Sequence, residues 1–214
     1  MPTNLKPTQH PRDNNLPRVF NFLTLLVWAA AAVGVVLPFA LGTSPLDAVL
    51  LKVPGDEGNW WHALVGLPFF LSLPMIWLRL RVLSSAQSPN LVMRRILWVV
   101  IIFSAIGTLL VEAPFLLHLA GTSELQRLEV IFLGIGIILS SGIFLSVKRK
   151  KINPARALIM GITSAYLSNA FICLIVYGEA KFRDQSRSGW YLTLVIVIPM
   201  CIELIGLFFT KSEE

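Results

Sequence analysis

Charge is what this chain has least of. Charged residues make up 14% of it, against about 25% in an average soluble domain, which leaves too few polar side chains to cover a surface facing water on every side. Cysteine is nearly absent as well. Cys173 and Cys201 form no C-x-x-C or metal-type spacing. On neighbouring antiparallel helices their depths differ by about 9 Å at ~1.5 Å per residue, too far for a disulfide, so both read as packing residues. The common catalytic signatures are missing too. No H-E-x-x-H, G-x-S-x-G or Walker-type glycine loop occurs, and no complete nucleophile–base set can be read. Gly134-Ile135-Gly136 is a small-residue cluster inside an apolar run rather than a nucleotide loop.

What the chain has is hydrocarbon: 55% hydrophobic residues over 214 positions and a mean hydropathy of +0.72. A helix needs about 20 apolar residues to cross roughly 30 Å of bilayer. Six such runs occur, at Val19–Leu41, His62–Leu78, Ile96–Leu119, Val130–Val147, Ala157–Tyr177 and Trp190–Phe209. The expected fold is therefore an all-α integral membrane bundle of six transmembrane helices. Residues 1–17, with Pro2, Pro7, Pro11 and Pro17 and no apolar period, read as a disordered cytoplasmic tail. Residues 18–210 form a single transmembrane bundle and 211–214 a short cytoplasmic C-terminal tail. The first run exceeds the 7–15 residues of a signal-peptide core and lacks a clear cleavage site after it, so it reads as an uncleaved span. The second is short and carries Pro68 and Pro74, which makes it a candidate broken or re-entrant helix. Without it the count drops to five.

The net charge of +6 and pI near 9.7 would raise a nucleic-acid partner in a soluble chain, but their placement answers a different question. With six spans and the N-terminus inside, inner segments hold 13 of the 18 basic residues, among them Arg79, Arg81, Arg94, Arg95, Arg156 and the run Lys148-Arg149-Lys150-Lys151. Outer segments hold Lys52, Arg127, Lys181, Arg183 and Arg187 against seven acids. This is the positive-inside pattern, and it places the chain in the plasma (inner) membrane with both termini cytoplasmic. The partners expected are the lipid bilayer and other membrane subunits, with no nucleic acid. The inner basic runs could bind anionic headgroups, but topology already explains them.

Local signals refine the picture. In the first outer loop Ser44-Pro45-Leu46-Asp47 combines an N-cap serine, proline at the first helical position and an acid three residues after the cap, predicting a short interfacial helix. Trp60, Trp61 and Trp190 mark the outer interface and Trp77 the inner one. Small residues four apart, Ala157, Gly161 and Ala165 continued by Asn169, face one side of the fifth span. Gly136 and Ser140, then Gly142 and Ser146, do the same on the fourth. These faces predict that the two spans are neighbours across the Lys148–Arg156 turn, where Asn153-Pro154 caps the next helix. They also offer a route to self-association or to other subunits.

Ionisable residues inside hydrocarbon are the first functional candidates, since each costs at least ~2.5 kcal/mol to insert when charged. Glu112 and Glu203 qualify, as a candidate proton, ion or substrate site. The alternative is that each acid is protonated or hydrogen-bonded to Ser104, Thr108, Thr163, Ser168 or Asn169 and locks helices together. His62 and His118 fall at the same outer depth and could ligate a haem or a metal, with Glu112 one to two turns below. The alternative there is imidazoles hydrogen-bonded at a wet interface. Three functions follow. The first is a non-catalytic accessory or scaffolding subunit of a membrane assembly, favoured because no catalytic set is readable. The second is a small-solute or proton-coupled transporter using Glu112 and Glu203. The third is an outer-face redox or metal- or haem-binding membrane enzyme built on His62, His118 and Glu112.

Overall fold

The computed structural model describes residues 15–39, 42–53, 61–84, 90–103, 154–176 and 187–209. These are mostly helical, with no strand among them. The expected fourth span, the third beyond residue 103, the tail 1–14 and residues 210–214 lie outside the described residues.

Helix α1 spans Asn15–Gly34. Asn15, Leu16 and Pro17, which composition alone puts in the tail, instead form its first turn. Proline is tolerated there because the N–H it lacks would have no helical partner. The helix stops well short of Leu41. Pro38 has no N–H to continue the ladder and disfavours helical backbone at Leu37. The chain leaves through tighter bonds from Val35, Val36 and Leu37 N–H to the carbonyls three residues back, at 3.2–3.3 Å.

Helix α2, Pro45–Val49, is the short helix expected in the first loop. Both halves of its capping box form: Ser44 Oγ accepts from Asp47 N–H at 3.1 Å, and Asp47 Oδ2 accepts from Ser44 N–H at 2.9 Å. Its other end closes with Leu51 N–H donating to the Ala48 carbonyl and Lys52 N–H to the Asp47 carbonyl at 2.9 Å. That pair of bonds is a Schellman motif, and it puts Leu51 in the left-handed region at φ 56° where glycine is usual. Helix α2 lies against Gly66 so closely that a Cβ there would stand 2.5 Å from the Pro45 carbonyl oxygen.

The second expected span is a continuous but broken helix. Helix α3, Trp61–Gly66, runs through a 3₁₀ turn, Leu67–Leu71, into α4, Ser72–Leu83. At ~1.5 Å per residue or more the segment is about 35 Å long. Pro68 sits in the first turn of the 3₁₀ segment, and Asn169 Nδ2 donates to the Val65 carbonyl beside the change of helix type, at 3.1 Å.

Residues 91–103 form α5, begun by Asn90, whose side chain accepts from Met93 N–H at 3.2 Å. Helix α6, Pro154–Val176, is the central element, with residues 157–167 buried on every side. Its Gly161 meets α5: an added Cβ would sit 3.3 Å from the Trp98 ring. The small-residue face expected to receive the fourth span is thus occupied at Gly161 by Trp98 and Ile101. Helix α7, Ser188–Phe209, is the one helix among the described residues long and apolar enough to cross a membrane.

Helix ends gather at two ends of the bundle. At one, Gly189 N–H donates to the Pro38 carbonyl at 2.8 Å, Leu46 N–H to Val35 at 3.0 Å, and Trp190 Nε1 to the Leu174 carbonyl at 3.1 Å. Gly189 allows that approach, since a Cβ would lie 2.7 Å from the Leu37 carbonyl oxygen. At the other, Arg79 Nη1 donates to Asn21 Oδ1 at 3.1 Å and Arg156 Nη2 to the Leu207 carbonyl. Helices α1 and α6 therefore run opposite to α4 and α7. Five residues separate Ser84 from Asn90, a reach of at most about 22 Å over six steps, so α5 starts from the Arg79 end as well.

Candidate functional site

Glu203 projects from α7 into the bundle and is 1% exposed. Its Oε1 forms an ion pair with Arg79 Nη2 of α4, and its Oε2 accepts from Trp28 Nε1 of α1 at 3.1 Å. Arg79, 3% exposed, extends the network to Asn21 on α1. Four side chains from three helices thus meet, and the two charges among them neutralise each other in a buried setting. A lone buried carboxylate or guanidinium would carry a desolvation penalty of several kcal/mol, which the pairing and added hydrogen bonds offset. Packing holds the geometry. The Trp28 ring stands edge-on to Tyr166 at 5.3 Å, and Tyr166 edge-on to Phe69 at 5.6 Å.

None of the residues proposed from sequence to satisfy Glu203 among the described ones does so. Thr163 Oγ1 bonds its own helix at the Ile159 carbonyl, 2.8 Å away, and Asn169 serves Val65. The true partners, Arg79, Trp28 and Asn21, escape sequence reasoning because Arg79 already counts as an inner-loop charge. One signal could have found it. An acid in the inner half of an apolar helix needs a cation at the same depth, and Arg79 and Arg81, two apart, point to nearly opposite faces, so only one can turn inward. Arg81 is the outward one and lies over the Trp77 ring at 4.7 Å.

A second feature lies at the opposite end. Under α2 is a half-open cavity of about 90 Å³ lined by Phe39, Ala48, Val65, Phe69, His62 and Cys173, among others. His62 is thus placed on a cavity wall. Glu112 and His118 lie outside the described residues, so the expected pairing of His118 with His62, and with it the haem or metal reading, is not addressed by the described geometry. Among the described residues no group of three or more His, Cys, Asp or Glu side chains converges on a common point. Neither cysteine is in a disulfide; Cys173 lies on the cavity and Cys201 is half-buried on α7.

At the rim of that cavity, Asp47 is held ionised below the usual carboxylate range, chiefly by the Ser44 hydroxyl and then by the Ser44 backbone N–H. The hydroxyl donates to Asp47 Oδ2 at 2.6 Å. These bonds fix the cap of α2 and leave little freedom at the mouth. A row of ring contacts, Phe39 on Phe69 at 5.7 Å and then Tyr166 and Trp28, packs the distance between the cavity and the ion pair.

No family model matches the chain, and neither does any curated protein or solved structure.

Proposed function

We propose that this chain is a six-span protein of the inner membrane, with both termini cytoplasmic, that serves as a non-catalytic accessory or scaffolding subunit of a membrane assembly. The observation that carries this reading is the inversion of polarity across the bundle. Its most polar contact, Arg79 with Glu203, Trp28 and Asn21, is inside, while its outer face carries large aliphatic side chains. On α7 alone Leu194, Val195, Ile198, Ile202, Ile205 and Phe209 are exposed, and on α5 Val92, Ile96, Val99 and Phe103. A water-soluble monomer rarely leaves so continuous an apolar surface open, whereas lipid is its natural solvent.

Sidedness supports the same reading. Arg79, Arg81, Arg94, Arg95 and Arg156 all belong to the end where α1 starts and α7 finishes, whereas Asp47 belongs to the other. Helices α5 and α6 start from one end, so the chain between them has to return once, which fits the apolar run Val130–Val147 as a span. The structural role rests on Glu203. A carrier needs its acid free to exchange a proton or cation, and this one is engaged by a guanidinium and an indole, which favours locking over transport.

Purification from native membranes under mild detergent tests the role. The expected result is a stoichiometric protein partner that is lost, together with stability, in Glu203→Ala. A solute or proton flux in vesicles that disappears in a folded Glu203→Gln variant would overturn it in favour of transport.

A further inference from the structure

The cavity under α2 is walled by Phe39 from the segment that follows α1, Val65 and Phe69 from the broken helix and Cys173 from α6, with Ala48 of α2 as its cover. At about 90 Å³ it is of the order of the ~150 Å³ apolar cavities that take up a benzene-sized molecule. Most of the wall is hydrocarbon, and its polar side chains are Thr43, Ser44 and His62. The cover is rigid. Helix α2 is pinned by its capping box, its Schellman closure and its seat on Gly66, so the hollow is not removed by a small settling of the cover.

We propose that this cavity is a binding site for the end of a single hydrocarbon chain entering from the outer leaflet. The inference rests on the membrane reading above, under which the mouth lies at the level of the outer interface, near Trp190 and the amphipathic α2. The fluid outside a half-open apolar hollow at that depth is acyl chain. An inserted chain would touch α2, the broken helix, α6 and the segment after α1 together. A phospholipid acyl tail and a free fatty acid share this chemistry.

Photolabelling distinguishes them. The full chain is placed in phosphatidylcholine nanodiscs carrying traces of either a phospholipid or a free fatty acid with a diazirine at the chain end, irradiated, and its adducts mapped by peptide mass spectrometry. The expected result is labelling at Phe39, Val65 and Phe69 about tenfold above that per residue on the exposed face of α7, with one probe stronger according to the source of the chain. Ala48→Trp, which fills the hollow from its cover, is expected to remove the cavity adducts and leave the α7 labelling unchanged. Cavity adducts no more frequent than those on α7 overturn the inference and leave the membrane reading standing. No adducts on α7 either would overturn both.

Discussion

Glu203 and Arg79 are each other's condition for being buried. Either side chain alone would be an uncompensated charge in a medium that solvates it badly, so Glu203→Met or Arg79→Met is expected to cost about 3–5 kcal/mol. Replacing both, as Arg79→Met with Glu203→Met, is expected to recover most of that loss. Denaturant unfolding in detergent, run as a double-mutant cycle, checks it; additive single effects would contradict the pairing. Trp28→Phe keeps the ring packing and loses a hydrogen bond to a charged group, for about 1.5–3 kcal/mol. At this scale the sequence exposes half of the site. Glu203 stands out because an acid in an apolar run has no other excuse. Arg79 does not, since a cation at a helix end already satisfies the positive-inside pattern, and Trp28 is one more aromatic in a hydrophobic stretch.

Asp47 carries a pH dependence of known sign. Its carboxyl lies below 3.8 in the fold, so the cap's contribution is fully present above the unfolded value and is lost as pH falls through the folded one. The protection factors of residues 42–53 against hydrogen exchange, with the intrinsic pH dependence divided out, are expected to be constant above about pH 5 and to fall below about pH 4, an effect absent in Ser44→Ala, which itself costs about 1 kcal/mol.

Among the elements, α2 was the most readable and holds the most local strain. Its N-terminal cap follows directly from Ser44, Pro45 and Asp47. Its C-terminal closure could not be foreseen, because Leu51 is not a residue that announces a left-handed turn. Leu51→Gly relieves that conformation and is expected to stabilise the loop by up to about 1 kcal/mol, the gain being trimmed by the flexibility glycine adds to the unfolded chain. Gly66→Ala should act in the opposite direction by driving a methyl into the Pro45 carbonyl. Limited proteolysis between residues 42 and 53 separates the two, with cleavage slowed in the first variant and accelerated in the second. Elsewhere hydrophobic runs located the helices, but their ends were set by effects a run does not contain. Pro38 halts α1 early, Asn90 starts α5 ahead of the run that begins at Ile96, and Pro68 changes the helix type without breaking the chain of turns from Trp61 to Leu83.

At the scale of the whole molecule, alternation of helix direction and segregation of charge describe one arrangement. The described helices place their arginine-rich ends together, with α1 and α6 opposed to α4 and α7, as a bundle with basic inner loops requires. Composition and charge order pointed to helices with their basic residues gathered at one end, and the described residues are helical with Arg79, Arg81 and Arg156 at one end. The tertiary pairings were not legible, since in lipid any apolar face packs acceptably against any other and the choice falls to a few contacts such as Trp98 on Gly161. Sidedness is the central claim and can be measured directly. In a Cys173→Ala, Cys201→Ala background, single cysteines are introduced by Gly55→Cys, Ala86→Cys, Lys150→Cys, Gln185→Cys and Ser212→Cys and exposed to a membrane-impermeant maleimide on intact cells. The account predicts labelling at positions 55 and 185 from outside, and at 86, 150 and 212 only after permeabilisation. Labelling of 86, 150 or 212 in intact cells, or release of the protein from membranes by alkaline wash, would contradict it.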